Sequence, residues 1–416
     1  MPANFKNYFV LEFDRDFIVA DTFGDGFKRQ PGVTSAEGRR VGALIGFKTR
    51  KGEQVHVRVA SSFISAEQAQ LNLDRELGRD GFDQTREKAR TAWSALLGRY
   101  RVDDPDIDNV RTFYSALYRT QLFPRRFHEY DRAGKMVHYS PYNGQVLPGP
   151  MFTDNGFWDT FRAVFPLFTL MERKLDGEIM AGLANTYRES GWLPEWASPG
   201  HRDVMIGSNS AVNIADAYLK GIRGYDIDTL YEAIRKNATT SVGRPTSADG
   251  KTISAVGREG VEYYNRLGYV PYDVGIRENA ARTLEYAYAD FTIARLAEAL
   301  GKTEDAAMFR ARAQNYRKLF DPSVGWMRGR NKDGSFQSPF NPFKWGDAFT
   351  EGNSMHYSWS VFQDVRGLID LMGGDRAFVA KIDQVFDSPP RFDASYYGQV
   401  IHEIREMQIV NMGNYA

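Results

Sequence analysis

One stretch of the chain decides the fold: residues 279–300 have the sequence NAARTLEYAYADFTIARLAEAL. Apolar side chains recur in it at helical spacing, and they form two separate stripes. The stripes are Leu284, Tyr288 and Phe291 on one side, and Tyr286, Ile293, Leu296 and Leu300 on the other. Two stripes predict a helix that other elements cover on two sides. Asp290 lies inside this stretch, and because a buried carboxylate must be paired, the sequence predicts a structural salt bridge there.

Helical periodicity continues on both sides of this stretch. Each of the following sets marks one face of a predicted helix: Val110, Phe113, Leu117 and Gln121-Leu122; Ile179, Leu183 and Tyr187; Val212, Ala215, Leu219 and Ile222; Phe309, Ala313, Tyr316 and Phe320; and Phe362, Val365, Ile369 and Met372. Gly373 and Gly374 predict a helix stop and Asp375 a new N-cap, which would join two antiparallel helices. Helices joined by loops that carry Trp, Asp, Glu and Asn predict a mainly α fold, a toroid of helical hairpins with a pocket at the loop end.

The first 65 residues follow a different pattern. Their short apolar runs are rich in β-branched and aromatic residues and occupy residues 8–13, 17–20, 41–47 and 55–64. Turn residues separate these runs, so we predict antiparallel β-structure with too few strands to close a sandwich by itself. Residues 66–101 are charged and rich in alanine, which is typical of a solvated linker helix.

Composition limits the classes of function. The 416 residues include 53 Lys and Arg and 53 Asp and Glu, so there is no electrostatic reason to expect nucleic acid or an anionic membrane surface as a partner. The absence of cysteine excludes disulfides and thiolate metal sites. Phosphate-binding, dinucleotide, zinc-protease and serine-hydrolase motifs are absent as well. The chain contains 28 Phe, 22 Tyr and 7 Trp, and aromatic faces stack on sugars while polar groups bind hydroxyls.

The first candidate site residue is Glu351. Glycoside hydrolysis typically uses two carboxyl groups, one that protonates the leaving oxygen and one that attacks or activates water. The proton donor must stay protonated near neutral pH, and burial among aromatic residues raises the pKa of a carboxyl group. Glu351 lies between the aromatic stretches 345–349 and 355–357, so it is the leading candidate for the acid. The alternative is a structural glutamate at a helix N-terminus.

A second candidate group lies at residues 157–162, where Trp158, Asp159 and Arg162 adjoin an apolar helix. An indole next to a carboxylate and a guanidinium is a plausible platform for one sugar ring. A core tryptophan with an Asp–Arg surface pair is the alternative, and these residues alone slightly favour that alternative.

Two further groups complete the list of candidates. Residues 191–196 contain Trp192 and Glu195, and Glu195 is a rival for the acid or base role. His201, Asp203 and Asn209 lack the spacing of metal ligands, so we interpret them as polar pocket or turn residues. His356 fits a hydrogen-bonded helix histidine better than a metal ligand.

Several motifs together resemble glycoside hydrolase family 92. They are GFWDTFR at 156–162, GWLP at 191–194, MIG at 205–207 leading to ADAY at 215–218, TLEYAYAD at 283–290, TEGN at 350–353 and GLIDLMGG at 367–374. Members of that family are calcium-dependent, inverting exo-α-mannosidases with a β-sandwich before an (α/α)6 barrel. The resemblance therefore implies part of a β-sandwich at residues 1–65, a helical linker at 66–103 and an (α/α)6 barrel at 104–416, incomplete at its C-terminus.

The resemblance also implies roles for residues. Glu351 would be the general acid, and Trp158 and Asp159 would contact the terminal mannose. The other implied substrate-binding residues are Arg162, Trp192, Glu195 and Asn353. The implied substrate is an α-mannoside within a mannose-containing oligosaccharide or glycoprotein N-glycan. The implied cofactor is calcium, with most of its ligands expected beyond residue 416, and the full-length protein is expected to be periplasmic or secreted.

One departure from the family pattern matters. The family's base is an aspartate in a segment downstream of a His-Gly-Asn motif, and residues 413–416 resemble only the lead-in to that motif. We therefore expect an internal fragment, truncated at both ends, that is inactive or nearly so by itself. Two alternatives stay open: a non-catalytic carbohydrate-binding chain, and another helical-toroid glycosidase that pairs Glu351 with Glu195.

Overall fold

A computed structural model describes residues 4–241 and 256–388, together with residues 2, 393, 395 and 396. Its residues divide into two compact units, one of residues 6–118 and 129–136, and one of the remainder. The sequence prediction for residues 413–416 falls outside the described residues. No helix in the described ranges is both long enough and apolar enough to cross a membrane.

The smaller unit contains the predicted β-region and linker. Its elements, with the helix that follows them, are β1 (Tyr8–Phe13), β2 (Val19–Phe23), β3 (Arg29–Gln30), β4 (Gly42–Gly46), β5 (Val57–Ser62), α1 (Ala66–Glu76), α2 (Phe82–Leu97) and α3 (Ile107–Thr120). β1 pairs antiparallel with β5, and β2 lies between β3 and β4. The strand predicted at 8–13 is confirmed, whereas the one predicted at 17–20 begins at Val19 and continues to Phe23 because it pairs with β4 along that length.

The larger unit is mostly helical. The short strands that follow α3 are β6 (Arg125–Arg126), β7 (His128–Tyr130), β8 (Met136–Tyr139), β9 (Val146–Pro148), β10 (Phe152–Thr153), β11 (Asn155–Gly156), β12 (Trp196–Ala197), β13 (Phe320–Asp321) and β14 (Trp326–Met327). Residues 129–136, which include most of β7 and the first residue of β8, belong to the smaller unit. The helices of the larger unit are α4 (Phe157–Thr160), α5 (Val164–Met171), α6 (Arg173–Ser190), α7 (Asn209–Leu219), α8 (Ile227–Thr239), α9 (Val261–Leu267), α10 (Asn279–Ala299), α11 (Thr303–Arg312), α12 (Ser354–Tyr357), α13 (Val365–Leu371) and α14 (Asp375–Asp387).

Successive helices of this unit pack as pairs: α5 with α6, α7 with α8, α10 with α11, and α13 with α14. These pairs agree with the predicted helical hairpins, while their closure into an (α/α)6 ring stays a prediction. At the last pair the sequence interpretation needs one change, since the N-cap of α14 is Gly374 and Asp375 is the first helical residue. Asp375 therefore interacts with the positive end of the helix dipole from within the first turn.

α10 is the helix predicted from residues 279–300, and it is covered on two sides as expected. Leu284 belongs to a core cluster that includes Trp158 and Phe349, whereas Ile293 and Leu296 belong to a second cluster built with α6, α7 and α8. Most residues of α10 are buried. Burial on both sides fixes the rotation of the helix, and with it the directions of the polar side chains that it carries.

Asp290 confirms the predicted salt bridge. Its carboxylate is fully buried and lies 2.6 Å from Nη1 of Arg258 and 2.8 Å from Nε of Arg312. The hydroxyl of Tyr264 also donates to it at 3.0 Å. Two guanidinium groups compensate the single negative charge, which is how a charge survives in a low-dielectric interior.

Candidate active site

The N-terminus of α10 holds the loop that carries Glu351 in place. The backbone N–H groups of Ala280 and Ala281 donate to the carbonyl of Ala348 at 3.0 and 3.1 Å, and that of Glu278 donates to Asp347 at 2.8 Å. The first turn of a helix has N–H groups without helical partners, so these carbonyls satisfy donors that would otherwise need water. Residues 344–352, which we call the Glu351 loop, are thereby attached to α10.

The backbone of the Glu351 loop is strained. Asp347 and Glu351 have φ angles of 64° and 46°, and Glu278, to which the loop is bonded, has a φ of 58°. A left-handed conformation costs a non-glycine residue about 1–2 kcal/mol. The loop is closed by a hydrogen bond of 2.8 Å from the N–H of Gly346 to the carbonyl of Gly352. Such strain concentrates at functional sites, where the surrounding structure holds it in place.

The side chain of Asp347 stabilises this loop from within. Its Oδ2 accepts hydrogen bonds from Nζ of Lys344 at 2.6 Å, from the hydroxyl of Tyr272 at 3.1 Å and from Nε2 of Gln337 at 3.2 Å. One of the three donors belongs to the loop and two belong to other segments. Asp347 therefore connects the Glu351 loop to the segments that contain Tyr272 and Gln337. Glu351, four residues later, is partly buried.

Asn353 follows the Glu351 loop and caps α12. Its Oδ1 accepts from the N–H groups of Met355 and His356 at 2.9 and 3.2 Å, and the side chain is fully buried. His356 is buried too, and burial lowers its pKa to about 4. His356 also contacts the edge of Trp345, with ring centroids 5.3 Å apart. Asn353 was predicted to bind substrate, but its side-chain oxygen is used to cap α12.

Trp158 lies in what we call the Trp158 turn, residues 157–162, and belongs to the same core cluster as Leu284 of α10 and Phe349 of the Glu351 loop. Its indole Nε1 donates to Oε1 of Glu285 at 3.1 Å, and the residue is only 3% exposed. The guanidinium of Arg162 lies over the ring at 5.4 Å from the centroid. The indole is thus a packed side chain and presents no open face.

Asp159 and Arg162 are the exposed polar residues of the Trp158 turn. Partial desolvation raises the pKa of the Asp159 carboxyl, and the nearby positive charge of Arg162 opposes that shift. Nε of Arg162 donates to the carbonyl of Trp158 at 3.2 Å, and its Nη2 lies 3.6 Å from Oε1 of Glu285. The arrangement presents one acceptor group and one donor group to solvent from the same helical turn.

Tyr357 connects the two regions electrostatically. It is buried, and its ring stacks on Phe349 of the Glu351 loop with centroids 5.4 Å apart. Burial raises the pKa of its hydroxyl well above the ordinary value, the charge of Glu285 raises it further and Arg162 opposes the change. The helix that follows Glu351 therefore lies within electrostatic reach of the groups that hold the Trp158 turn.

Glu195 supports the Trp158 turn through its backbone carbonyl, and Trp192 packs against α8. The carbonyl of Glu195 accepts from the N–H of Phe157 at 2.9 Å, and its two carboxyl oxygens accept from Oγ and N–H of Ser210 at 2.8 and 3.2 Å. Burial raises the pKa of Glu195 to about 8. Trp192 is 9% exposed and its ring packs under Nζ of Lys236 on α8, at 4.5 Å. Both side chains are held within the wall of the larger unit.

The part of the chain that the structure describes does not supply a cation site. No three His, Asp, Glu or Cys side chains meet there in a way that could hold a metal ion. His201 is buried against Tyr142, and burial lowers its pKa to about 3. The expected calcium ion stays a prediction.

Glu285, Asp347 and Tyr357 were not singled out from the sequence. Glu285 could have been found with the argument used for Asp290, because both carboxylates lie in a helix with two apolar stripes. Asp347 carries no such signal, since nothing in the sequence shows that its backbone is left-handed. Tyr357 was quoted only as an aromatic neighbour of Glu351.

The chain is similar to several known proteins. The model of the glycosyl hydrolase family 92 catalytic domain matches residues 68–416. The solved structure of a family GH92 inverting mannosidase from Bacteroides thetaiotaomicron VPI-5482 is 45% identical, with a TM-score of 0.88, and the match covers 100% of this chain and 55% of that protein. A family GH92 α-mannosidase from Bacteroides thetaiotaomicron is 30% identical, with a TM-score of 0.80, and the match covers 96% of this chain and 52% of that one.

A curated relative gives the same indication. A protein of Arthroderma benhamiae described as an uncharacterized secreted glycosidase is 28% identical over 371 residues, which are 80% of this chain and 42% of that protein. The chain thus spans about half the length of the relatives that it matches.

Proposed function

The chain belongs to glycosyl hydrolase family 92, and on that premise we propose that it provides the proton donor and part of the mannose-binding surface of an inverting exo-α-mannosidase. The substrate would be a terminal mannose of an α-mannoside, carried by an oligosaccharide or a glycoprotein N-glycan. The proposal is supported by the solved mannosidases that the chain resembles along its whole length.

Glu351 is proposed as the general acid that protonates the glycosidic oxygen. The observation that carries this assignment is the strained loop: Glu351 has a φ of 46° in a segment bonded to the N-terminus of α10. In an inverting mechanism a base activates water on the opposite face of the sugar, which requires the two carboxyl groups to be about 6.5–9.5 Å apart. We propose that this base is an aspartate outside the described residues.

The predicted sugar-binding residues divide into two groups on the structure. Asp159 and Arg162 are exposed, and we propose that they contact hydroxyl groups of the terminal mannose directly. Trp158, Trp192, Glu195 and Asn353 are held by protein contacts, and we propose that they shape the surface behind that contact.

Glu195 is a weaker partner for Glu351 than an aspartate outside the described residues. Both of its carboxyl oxygens already accept hydrogen bonds from Ser210. A general base needs an oxygen that can reach a water molecule next to the substrate. This observation favours a binding and structural role for Glu195.

Calcium dependence is also a proposal. No cluster of three His, Cys, Asp or Glu side chains occurs among the described residues, so we propose that carboxylate ligands of the ion lie outside them. A bound calcium ion supplies positive charge to oxygen ligands. A chelator that leaves the rate unchanged would contradict calcium dependence.

The test of the function is hydrolysis of an aryl α-mannoside. The chain by itself is expected to show little or no turnover. Joined to the part of the 45%-identical Bacteroides mannosidase that it does not cover, it is expected to turn the substrate over. Glu351→Gln in that fusion is expected to lower the rate about 10²–10⁴-fold, as loss of a general acid does.

The matched control is Glu304→Gln, which removes an exposed carboxylate from the first turn of α11. It is expected to leave the rate unchanged. Turnover by the fusion that Glu351→Gln does not reduce would contradict the assignment of the acid.

A further inference from the structure

Glu285 is a buried carboxylate whose position the structure fixes tightly. It is 2% exposed and projects from α10 toward the N-terminus of α7. Gly207, with a φ of 85°, lies so close that a Cβ there would be 3.2 Å from Cβ of Glu285 and 2.6 Å from Nδ2 of Asn209. A side chain at position 207 would also need the unfavourable positive φ, so glycine allows this close approach of residue 207 to the Cβ of Glu285.

Three neighbouring groups oppose the effect of burial on the Glu285 carboxyl group. Burial raises the pKa of the carboxyl, and the Arg162 charge together with hydrogen bonds from Trp158 and Asn209 opposes that rise. Opposite charge and hydrogen bonding to the anion both stabilise a carboxylate. All three groups belong to the segments that carry the Trp158 turn and the start of α7.

Glu285 contacts two side chains of the Trp158 turn. Its Oε1 holds the indole N–H of Trp158 at 3.1 Å and pairs with Arg162 at 3.6 Å. Arg162 in turn covers the indole, lying 5.4 Å from the ring centroid. With the indole covered, the exposed polar surface of this turn consists of Arg162 and Asp159.

We propose that Glu285 is a positioning residue for sugar recognition, which presents the guanidinium of Arg162 beside the carboxylate of Asp159 to adjacent hydroxyls of a terminal mannose. This rests on the proposed function. Hydroxyl groups both donate and accept hydrogen bonds, so a guanidinium, which only donates, beside a carboxylate, which only accepts, matches two of them. Glu285 itself does not contact the sugar.

The proposal differs from a purely structural role in its dependence on Arg162. If Glu285 acts on the ligand through Arg162, the two residues form one unit, and removing both costs no more than removing Arg162 alone. If Glu285 only stabilises the fold, its effect on binding is independent of Arg162.

The experiment measures binding of methyl α-D-mannoside to the 416-residue chain by ligand-observed NMR. The variants are Glu285→Gln, Arg162→Met and the double variant, with Glu304→Gln as control. Glutamine keeps the size of the side chain and an oxygen for the indole N–H but removes the charge that faces Arg162. Each single variant is expected to weaken binding about 5–30-fold, and the double variant is expected to match Arg162→Met within about twofold.

Several results would overturn the proposal. Unchanged binding by Glu285→Gln would do so, as would losses that multiply in the double variant. If Glu285→Gln does not fold, Glu285→Asp takes its place in the same comparison, because it keeps a carboxylate but shortens its reach to Arg162. Unchanged binding by Glu285→Asp, or losses that multiply when it is combined with Arg162→Met, would overturn the proposal.

A different result would contradict the proposed function without contradicting the role of Glu285. If the unmodified chain binds methyl α-D-glucoside as tightly as the mannoside, a mannose-specific function is contradicted, while the coupling between Glu285 and Arg162 can still be measured with either sugar. If the unmodified chain binds neither sugar, both the function and the inference are contradicted for this chain.

Discussion

The Glu351 loop and the Trp158 turn lie at the same helix, α10, but they are held by different means. Backbone hydrogen bonds to the first turn of α10 hold the loop, and two of its non-glycine residues are left-handed. The Trp158 turn has ordinary helical geometry and is held by a side chain, the buried carboxylate of Glu285. The Glu351 loop stores conformational strain, and the Trp158 turn depends on the buried carboxyl group of Glu285.

The difference follows from what each region would have to do. A proton donor must be fixed relative to a single bond of the substrate, and a backbone that is bonded at several points limits its movement. A sugar-binding surface has to present donors and acceptors, and these are set by charged side chains whose partners are buried. Variants that disturb only the backbone support of the Glu351 loop, or only the side-chain support of the Trp158 turn, can measure the two contributions separately.

Substitution of Asp347 is expected to have the largest effect on stability. Asp347→Ala removes three hydrogen bonds to one carboxylate oxygen and keeps a left-handed residue. The free energy of unfolding is expected to fall by about 2–3 kcal/mol. Asp347→Gly loses the same bonds but not the strain, so it is expected to be about 1 kcal/mol more stable than the alanine variant. Denaturant unfolding measures both values.

The control for this pair is the same pair of substitutions at Asp333, an exposed loop residue that is absent from the set with positive φ. There alanine is expected to be at least as stable as glycine. If alanine and glycine are equally stable at position 347, the strain attributed to the Glu351 loop is refuted.

Glu195 gives a pH-dependent test of the support behind the Trp158 turn. Burial raises its pKa to about 8, so the folded chain holds a proton that the unfolded chain releases at the ordinary glutamate pKa of 4.5. The folded state therefore loses stability as the pH rises from about 4.5 to 8, with a slope of at most about 1.4 kcal/mol per pH unit. Because the residue is partly exposed, the whole change is expected to be about 1–2 kcal/mol.

Glu195→Gln is expected to remove that part of the slope, which unfolding measured at a series of pH values would show. Asp176, whose pKa burial raises to about 7, contributes a slope of the same sign and remains in the variant. An unchanged slope in Glu195→Gln would mean that Glu195 is charged in the folded chain at neutral pH.

The smallest difference in stability is expected between two variants of Glu351. Glu351→Gly and Glu351→Ala both remove the proposed acid, but only glycine adopts a φ of 46° without strain. The glycine variant is expected to be more stable than the alanine variant by about 0.5–1 kcal/mol. Equal thermal unfolding of the two variants would show that the loop relaxes once the carboxylate is removed.

The sequence predicted the elements whose pattern is repeated along the chain. The two stripes of residues 279–300 predicted the limits of α10 closely, because a helix covered on two sides must be apolar on both. The presence of a salt bridge at Asp290 followed from the cost of burying a charge, although its partners were not predicted. The aromatic residues around Glu351 drew attention to the loop, although they indicated nothing about its backbone.

Features that depend on a single residue were not predictable. Positive φ angles at Asp347 and Glu351 leave no mark in the sequence, since neither residue is glycine. The sequence only slightly favoured a packed indole over an exposed platform at Trp158, and the 3% exposure of the residue decides between them. The sugar-binding roles of Trp158, Asp159, Arg162, Trp192, Glu195 and Asn353, like the acid role of Glu351, stay predictions.

The most direct test of the central claim, that Glu351 donates the proton, compares two substrates with different leaving groups. In the fusion with the Bacteroides mannosidase, Glu351→Gln is expected to lower kcat/KM for methyl α-D-mannoside, whose leaving group must be protonated, by about 10²–10⁴-fold. For 2,4-dinitrophenyl α-D-mannoside, whose leaving group departs as an anion, the loss is expected to be far smaller. Equal losses for both substrates would contradict the claim and would place Glu351 in sugar binding or in the structure of its loop.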